Sequence, residues 1–205
     1  MKQNKKKANI KIGIVGEHPD NDSKALIALL LKVSVENIDF QVIAKKFRGG
    51  GLDSDRFLNV LKTEAKDLNK IIFIRDSDEV TNEKIIAYKH LRDEWFLKAD
   101  KASDGKGIFF LAIAEMEALI LSDMQTFNDF YGTKASFKSN PMMQKDPKAT
   151  LQNLSKDSKK GKYDENHAPD IFKKLDFNTV YKQHKGARSF QAFADELKKE
   201  KIIDF

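Results

Sequence analysis

The chain has 205 residues, a net charge of +6, 33% charged and 40% hydrophobic residues, and no cysteine. This length suits one domain with an appendage, and the composition argues against wholesale disorder. The absence of cysteine excludes disulfides, thiolate catalysis and Cys-based zinc sites, while the excess of Lys and Arg favours polyanionic partners.

The predicted elements begin after a basic arm, residues 1–8, which is expected to be solvated and could also contact a phosphate backbone. Nearly continuous apolar runs predict strands buried in a parallel sheet, at 10–15, 40–44, 71–74 and 108–114. Apolar spacings of three and four predict helices between them, at 25–33, 55–68, 82–99 and 114–130. No run reaches the roughly 18–20 residues of a transmembrane helix, and no signal peptide is recognisable, so we expect a cytoplasmic protein without membrane contact.

The chain changes character after Gly132. Residues 133–163 carry eight lysines against two aspartates, with weak periodicity. This segment is either an exposed, loop-rich insertion or a lobe that contacts phosphates. Apolar spacing returns at 171–177 and 190–197, which predicts two closing helices, the second capped by Ser189. The expected organisation is a basic arm at 1–8, an α/β core at 9–132 and a basic, helical extension at 133–205.

Acidic residues follow three of the predicted strands. The third strand runs into Asp76 and Asp78, whose side chains point the same way at i and i+2 of an extended segment, roughly 6–7 Å apart. Glu17 follows the first strand, and Glu115 and Glu117 follow the fourth. Ligand sites of open α/β sheets lie beyond the carboxyl ends of the strands. Carboxylates held close together repel, and a divalent cation commonly neutralises them.

Each of these carboxylates also has a structural interpretation. An Asp-x-Asp sequence after a strand is often a turn or a helix cap, and Glu115 and Glu117 could favour the positive end of a helix dipole. Asp123, further along, could face solvent. Because three strand ends carry carboxylates and no sulfur ligand is present, the sequence predicts a site for Mg²⁺ or Mn²⁺.

At these residues the chain resembles the Toprim domain of topoisomerases, primases and OLD-family nucleases, whose pattern is a Glu after the first strand and D-x-D after the third. Glu17 and the D-S-D at 76–78 match that pattern in identity and order. The finer likeness is to small stand-alone bacterial Toprim-like proteins. It is carried by E-M-E-A-L-I-L-S-D at 115–123, D-P-K-A-T-L at 146–151 and S-F-Q-A-F at 189–193.

The chain departs from the Toprim pattern at three positions. His18 stands where Toprim domains usually have Gly, and Leu119 stands where a Trp is common. Asn21 stands where OLD-type nucleases often have an acid, which Asp22 could replace with a one-residue shift. These departures bear on a full two-metal nuclease site more than on the fold.

The resemblance implies a Toprim-like Rossmannoid with a mostly parallel central sheet flanked by helices, plus a C-terminal helical extension. It also implies a Mg²⁺- or Mn²⁺-dependent nuclease of a bacterial defence or toxin system, acting on nucleic acid and in the first instance on DNA. The implied metal ligands are Glu17, Asp76, Asp78 and Glu117. The implied catalytic residues are Glu17, Asp76, Asp78 and Lys148. The implied nucleic-acid contacts are Arg48, Lys148 and Arg188.

Alternatives remain at the level of residues and of function. Lys148 could be one surface lysine among many, and the Gly49-Gly-Gly51 loop after Arg48 is either a charged approach loop or a simple mobile turn. The alternative function is a catalytically weak Toprim-like module that binds nucleic acid or a separate ABC-type ATPase. A separate ATPase is implied because OLD-family nucleases join Toprim to such a domain, whereas this chain has no ATP-binding motif.

Overall fold

The computed structural model describes residues 9–77, 82–184 and 189–205, with the side chains of all of these except 82–91. Three sequence predictions, the basic arm at 1–8, Asp78 and Arg188, therefore lie outside the described residues. Within the described part of the chain, no helix combines the length and apolar character needed to cross a membrane.

A parallel sheet of four strands, in the order β2-β1-β3-β4, forms the centre of the molecule. The strands are β1 (Ile10–Val15), β2 (Ile38–Val42), β3 (Lys70–Asp76) and β4 (Gly107–Ala112). The central strands β1 and β3 are buried on both faces, which explains their nearly unbroken apolar sequences. Their carboxyl ends lie side by side, so the residues that follow them meet at one edge of the sheet.

Helices cover both faces of the sheet. A π-helical turn at Pro19–Ser23 leads into α1 (Lys24–Leu30), which packs on one face. The opposite face is covered by α2 (Asp55–Glu64) and α3 (Asn82–Ala102). The start of α2 is fixed by Ser54, whose hydroxyl oxygen accepts a hydrogen bond from the main-chain N–H of Phe57 at 3.2 Å.

The C-terminal part of the chain continues the layer formed by α1. Its helices are α4 (Ala118–Leu121), α5 (Met124–Tyr131), α6 (Pro147–Ser155), α7 (Ala168–Phe172), α8 (Phe177–Gln183) and α9 (Phe190–Lys199). α9 lies against β4, where the rings of Phe193 and Phe110 stack with their centroids 4.7 Å apart. One hydrophobic cluster contains both sheet residues and residues of these helices, so the extension shares the core of the sheet.

The predicted α/β fold, with a parallel sheet, flanking helices and a C-terminal helical part, is confirmed. The helix predicted at 114–130 begins only at Ala118, after Ala114 with its positive φ of 61°, and is divided into α4 and α5 at Asp123, the N-cap of a new helix. Asp123 accepts hydrogen bonds from the main-chain N–H of Thr126 at 3.1 Å and of Asp176 at 2.9 Å. The expectation that Asp123 faces solvent is therefore wrong, since this residue is 8% exposed.

Candidate functional site

The carboxylate that follows β1 is held by an arginine of β3. Arg75, 2% exposed, donates from Nε to Oε1 of Glu17 at 2.7 Å and from Nη1 to Oδ1 of Asp53 at 3.1 Å. Its guanidinium carbon also lies 4.7 Å from the ring centroid of Trp95. A buried arginine needs such partners, because leaving its charge unpaired in the interior is costly. Glu17 is thus part of an ion-pair network at the sheet edge.

A second arginine joins this network from α3. Nε of Arg92 donates to the main-chain oxygen of Asp76 at 3.1 Å, and its Nη2 lies 3.7 Å from Oε1 of Glu17. Asp76 is half-buried at the end of β3, and the predicted partner Asp78 lies outside the described residues. The structure therefore brings Glu17 and the end of β3 together, as the order of strands requires, with two guanidinium groups beside them.

Other carboxylates form a separate group, here called the acidic cluster: Asp22, Glu115, Glu117 and Glu165. Asp22 belongs to the π-helical turn after β1, and its Oδ2 accepts a hydrogen bond from the main-chain N–H of His18 at 2.8 Å. Glu115 and Glu117 belong to the segment between β4 and α4, while Glu165 precedes α7. Side-chain nitrogen Nδ2 of Asn21 donates to Oε2 of Glu165 at 3.4 Å, which joins the turn after β1 to the C-terminal helices.

The acidic cluster favours protonated carboxyl groups. Burial, together with repulsion from Glu115, Asp22 and Glu165, raises the pKa of Glu117 to about 7. The pKa of Asp22 is raised to about 6, chiefly by burial and also by repulsion from Glu17 and Glu165, while the hydrogen bond from the His18 main-chain N–H partly opposes the rise. Half-buried carboxylates that repel one another are therefore concentrated at the carboxyl edge of the sheet.

Lys148 lies at this cluster, together with the predicted ligand Glu117. Asp146 caps α6 by accepting from the main-chain N–H of Ala149 at 2.7 Å, which places Lys148 in the first turn. The main-chain N–H of Lys148 donates to Oε2 of Glu115 at 3.3 Å, and its ammonium group forms an ion pair with Glu165. A hydrogen bond to Glu165 is the main reason why the pKa of Lys148 is raised. The D-P-K sequence thus forms a capped helix start that directs one lysine to the acidic cluster.

A tyrosine completes the surroundings of Glu117. The hydroxyl of Tyr163 donates to Oε1 of Glu117 at 3.2 Å, and Tyr163 is 2% exposed. Burial and the charge of Glu117 raise the pKa of this hydroxyl well above its usual range, so it remains a donor. Sequence reasoning did not identify Tyr163 or Glu165, because both lie in a segment without clear periodicity. Asp22 was identified only as a shifted replacement for an acid at position 21.

Of the predicted nucleic-acid contacts, Arg48 is exposed on the loop after β2. Its Nη2 lies 2.9 Å from Oδ2 of Asp20, whose other oxygen lies 2.8 Å from Nζ of Lys24. Lys148 is in the acidic cluster, and Arg188 lies outside the described residues. Among the described residues, no three Asp, Glu or His side chains are arranged so that they could hold one metal ion.

No curated protein and no solved structure matches the chain significantly. A family profile described as a domain of unknown function, DUF4276, matches residues 22–198. That match covers the strands β2 to β4, the acidic cluster, the capped lysine of α6 and most of the C-terminal helices. The chain therefore belongs to the DUF4276 family.

Proposed function

We propose that this protein is a Mg²⁺- or Mn²⁺-dependent phosphodiesterase that cleaves nucleic acid, with DNA as its first expected substrate. The observation that carries the proposal is the pair Asp22 and Glu117: both are half-buried, and their pKa values are raised to about 6 and about 7 by burial and by repulsion from neighbouring carboxylates. Such an arrangement is unfavourable by itself, and a divalent cation relieves it.

The donor atoms of the acidic cluster fit such a cation. All of them are hard carboxylate oxygens, which Mg²⁺ and Mn²⁺ prefer. Mg²⁺ usually keeps several waters and takes only one or two carboxylates from the protein, with substrate phosphates supplying other ligands. Asp22 and Glu117 meet that requirement although the described residues contain no group of three ready ligands. We assign the cation to these two residues. Glu17 is not assigned as a ligand, because it forms an ion pair with Arg75.

A cation held there would polarise a phosphoryl oxygen and lower the pKa of a water molecule. The residues around it have separate roles. Lys148, oriented by Glu165, supplies positive charge for a phosphate that reaches the cluster. Glu117 would be ionised when it holds the cation, because a carboxyl group must lose its proton to become a metal ligand. Tyr163 donates to Oε1 of Glu117 and thereby fixes the position of that carboxyl group.

The charge of the whole chain supports a polyanionic substrate. The net charge is +6, and eight lysines lie within residues 133–163, which include α6 and its capped lysine. Contacts between lysines and phosphates are independent of base sequence and weaken steeply with salt. We therefore expect cleavage without strong sequence preference.

The test compares metal binding with strand cleavage. Mn²⁺ affinity is measured by titration calorimetry, and cleavage is followed on supercoiled plasmid and on a single-stranded RNA, with Mn²⁺ or with EDTA. Glu117→Gln and Asp22→Asn should each weaken Mn²⁺ binding by at least about tenfold and abolish nicking. Glu94→Gln, the same chemical change at an exposed position of α3, should leave both unchanged. Cleavage that persists in EDTA or in Glu117→Gln would contradict the proposal.

One observation favours the second candidate function, a module that binds nucleic acid or an ATPase subunit without cleaving. Glu17, the residue that matches the first Toprim acid, is paired with Arg75 at 2.7 Å and lies close to Arg92. A carboxylate held in this way is less available for catalysis. Mn²⁺ binding without cleavage of any substrate, together with co-elution of an ATPase expressed from the same locus, would favour this second function.

A further inference from the structure

A cleft of 810 Å³ lies beyond the carboxyl end of β2, between the loop that follows this strand and α2. Its lining includes Lys45, Lys46, Phe47, Arg56 and Glu64. We call it the β2–α2 cleft. Its volume is within the range of about 300–1,000 Å³ that is typical of ligand sites. It is separate from the acidic cluster, which contains none of these residues.

Positive charge dominates the β2–α2 cleft. Lys45, Lys46 and Arg56 are exposed, and within the described part of the chain none of them forms an ion pair or a side-chain hydrogen bond. The one carboxylate named in the lining, Glu64, accepts a hydrogen bond from the main-chain N–H of Ala44 at 2.7 Å and so holds the end of the strand. By contrast, Arg48, the predicted contact, is paired with Asp20.

The cleft also offers an aromatic surface and an open stretch of backbone. Phe47 is half-buried, and its ring packs edge-on against Phe57 with centroids 5.6 Å apart, so it is held in place beside the cleft. Gly51 contributes to the lining, and a Cβ atom on it would meet no atom within 4 Å. Cationic side chains together with an aromatic ring are the usual components of sites that bind single-stranded nucleic acid.

The β2–α2 cleft is connected to the ion-pair network at the sheet edge. Gly49 and Asp53 are the first and last residues of one 3-10 helical turn. The main-chain N–H of Gly49 donates to the main-chain oxygen of Glu17 at 3.1 Å, and the side chain of Asp53 accepts from Arg75. One side of this turn therefore contacts the end of β1, while the other faces the cleft.

We propose that the β2–α2 cleft binds the phosphate backbone of a single-stranded nucleic acid, with Lys45, Lys46 and Arg56 as phosphate contacts and Phe47 as a surface for a base. The proposal rests on the proposed function for the choice of nucleic acid as the ligand. It adds a substrate-binding surface that the sequence analysis did not identify, since no motif marks residues 45–56 beyond Arg48 and the glycines.

The test measures the binding of a fluorescein-labelled oligothymidylate by fluorescence anisotropy in EDTA, so that neither metal nor cleavage takes part. The variant is Lys45→Gln/Lys46→Gln, which removes two exposed charges and leaves the core intact. Its matched control is Lys98→Gln/Lys101→Gln, an equal change of charge at exposed positions near the end of α3 that do not line the cleft. Arg56→Gln is measured as an independent single variant.

For single strands, each phosphate contact contributes about 0.7 to the slope of log affinity against log salt, so the double variant should lower the slope by about 1.4. At about 0.05 M salt this corresponds to roughly an eightfold loss of affinity per contact and to about a 60-fold loss for the pair. Arg56→Gln should lower the slope by about 0.7, and the control pair should bind as the wild type does.

Three results would overturn the proposal: no binding by the wild type, an unchanged salt slope in the double variant, or an equal loss in the control pair. The last result would show that only the net charge matters. Because EDTA removes the metal, failure here leaves the cleavage proposal standing. Conversely, if the protein binds the oligonucleotide through the cleft but cleaves no substrate, the proposal for the cleft is supported and the proposed phosphodiesterase activity is refuted.

Discussion

The substitution Glu117→Gln should stabilise the metal-free protein at alkaline pH. Burial, together with repulsion from Glu115, Asp22 and Glu165, raises the pKa of the Glu117 carboxyl group to about 7, and this group accepts a hydrogen bond from Tyr163. Glutamine has nearly the same shape, keeps an oxygen that accepts from Tyr163 and carries no charge. The substitution therefore removes the repulsion while it retains the packing.

The size of the effect follows from the pKa. The interval between the usual value of 4.5 and about 7 corresponds to about 3 kcal/mol, because one pKa unit is worth about 1.4 kcal/mol. Above about pH 7 the glutamate is ionised in both the folded and the unfolded chain, and the folded state bears this full cost. As the pH falls through 7 towards 4.5, the folded state takes up the proton first and the cost disappears.

Urea unfolding in EDTA at about pH 8 and about pH 4.5 provides the measurement. Glu117→Gln should exceed the wild type in free energy of unfolding by up to about 3 kcal/mol at the higher pH and by less than about 0.5 kcal/mol at the lower. Mn²⁺ at about 100 times its Kd should stabilise the wild type by about 2.7 kcal/mol and so reduce the difference. Glu94→Gln serves as the exposed control. A difference that does not change with pH, or a destabilised Glu117→Gln, would refute the reasoning.

Two further substitutions test which contacts stabilise the fold around the site. Asp123→Ala should lower the free energy of unfolding by about 1–2 kcal/mol in urea titrations, because the helix cap of α5 and the contact to the main-chain N–H of Asp176 are lost. Asp123→Asn keeps a side-chain oxygen that can accept these hydrogen bonds, so it should lose less stability than Asp123→Ala. Burial lowers the pKa of His184 from 6.5 to about 4, so stability present above pH 6.5 should be lost as the pH falls towards 4. His184→Gln should flatten this part of the pH profile of unfolding, and an unchanged slope would contradict the assignment.

The sheet could be predicted because its signal is local. Each strand is a short run of apolar, mostly β-branched or aromatic residues, and all four runs are strands within a few residues of the predicted bounds. Helix ends were harder to predict. The apolar pattern continues across 114–130. The later start of the first helix follows the positive φ of Ala114, and the division into two helices depends on the cap that Asp123 provides. Such a cap is visible in the sequence only as one aspartate among several.

The site could be predicted only in part, because its contacts join distant segments. The Toprim resemblance placed Lys148 and Glu117 in one site, and in the structure both belong to one group of charges around the acidic cluster, since Glu117 contributes to the raised pKa of Lys148. It gave no indication that Tyr163 would donate to Glu117 across 46 positions, or that Glu165 would pair with Lys148. These partners lie in a segment whose order comes from tertiary packing. No local pattern could reveal them.

Arg75 explains why the cation is assigned to the acidic cluster rather than to Glu17. In the sequence Arg75 follows the apolar run at 71–74 and lies next to Asp76, and nothing local identifies its partner. In the structure that partner is Glu17, and Arg75 is 2% exposed with Asp53 and Trp95 as its other contacts. A divalent ion on the same carboxylate would bring like charges together and weaken a buried ion pair, whose disruption is strongly destabilising. The carboxylates of Asp22 and Glu117 lack such a cation partner within the described residues, and their mutual repulsion makes a divalent ion favourable there.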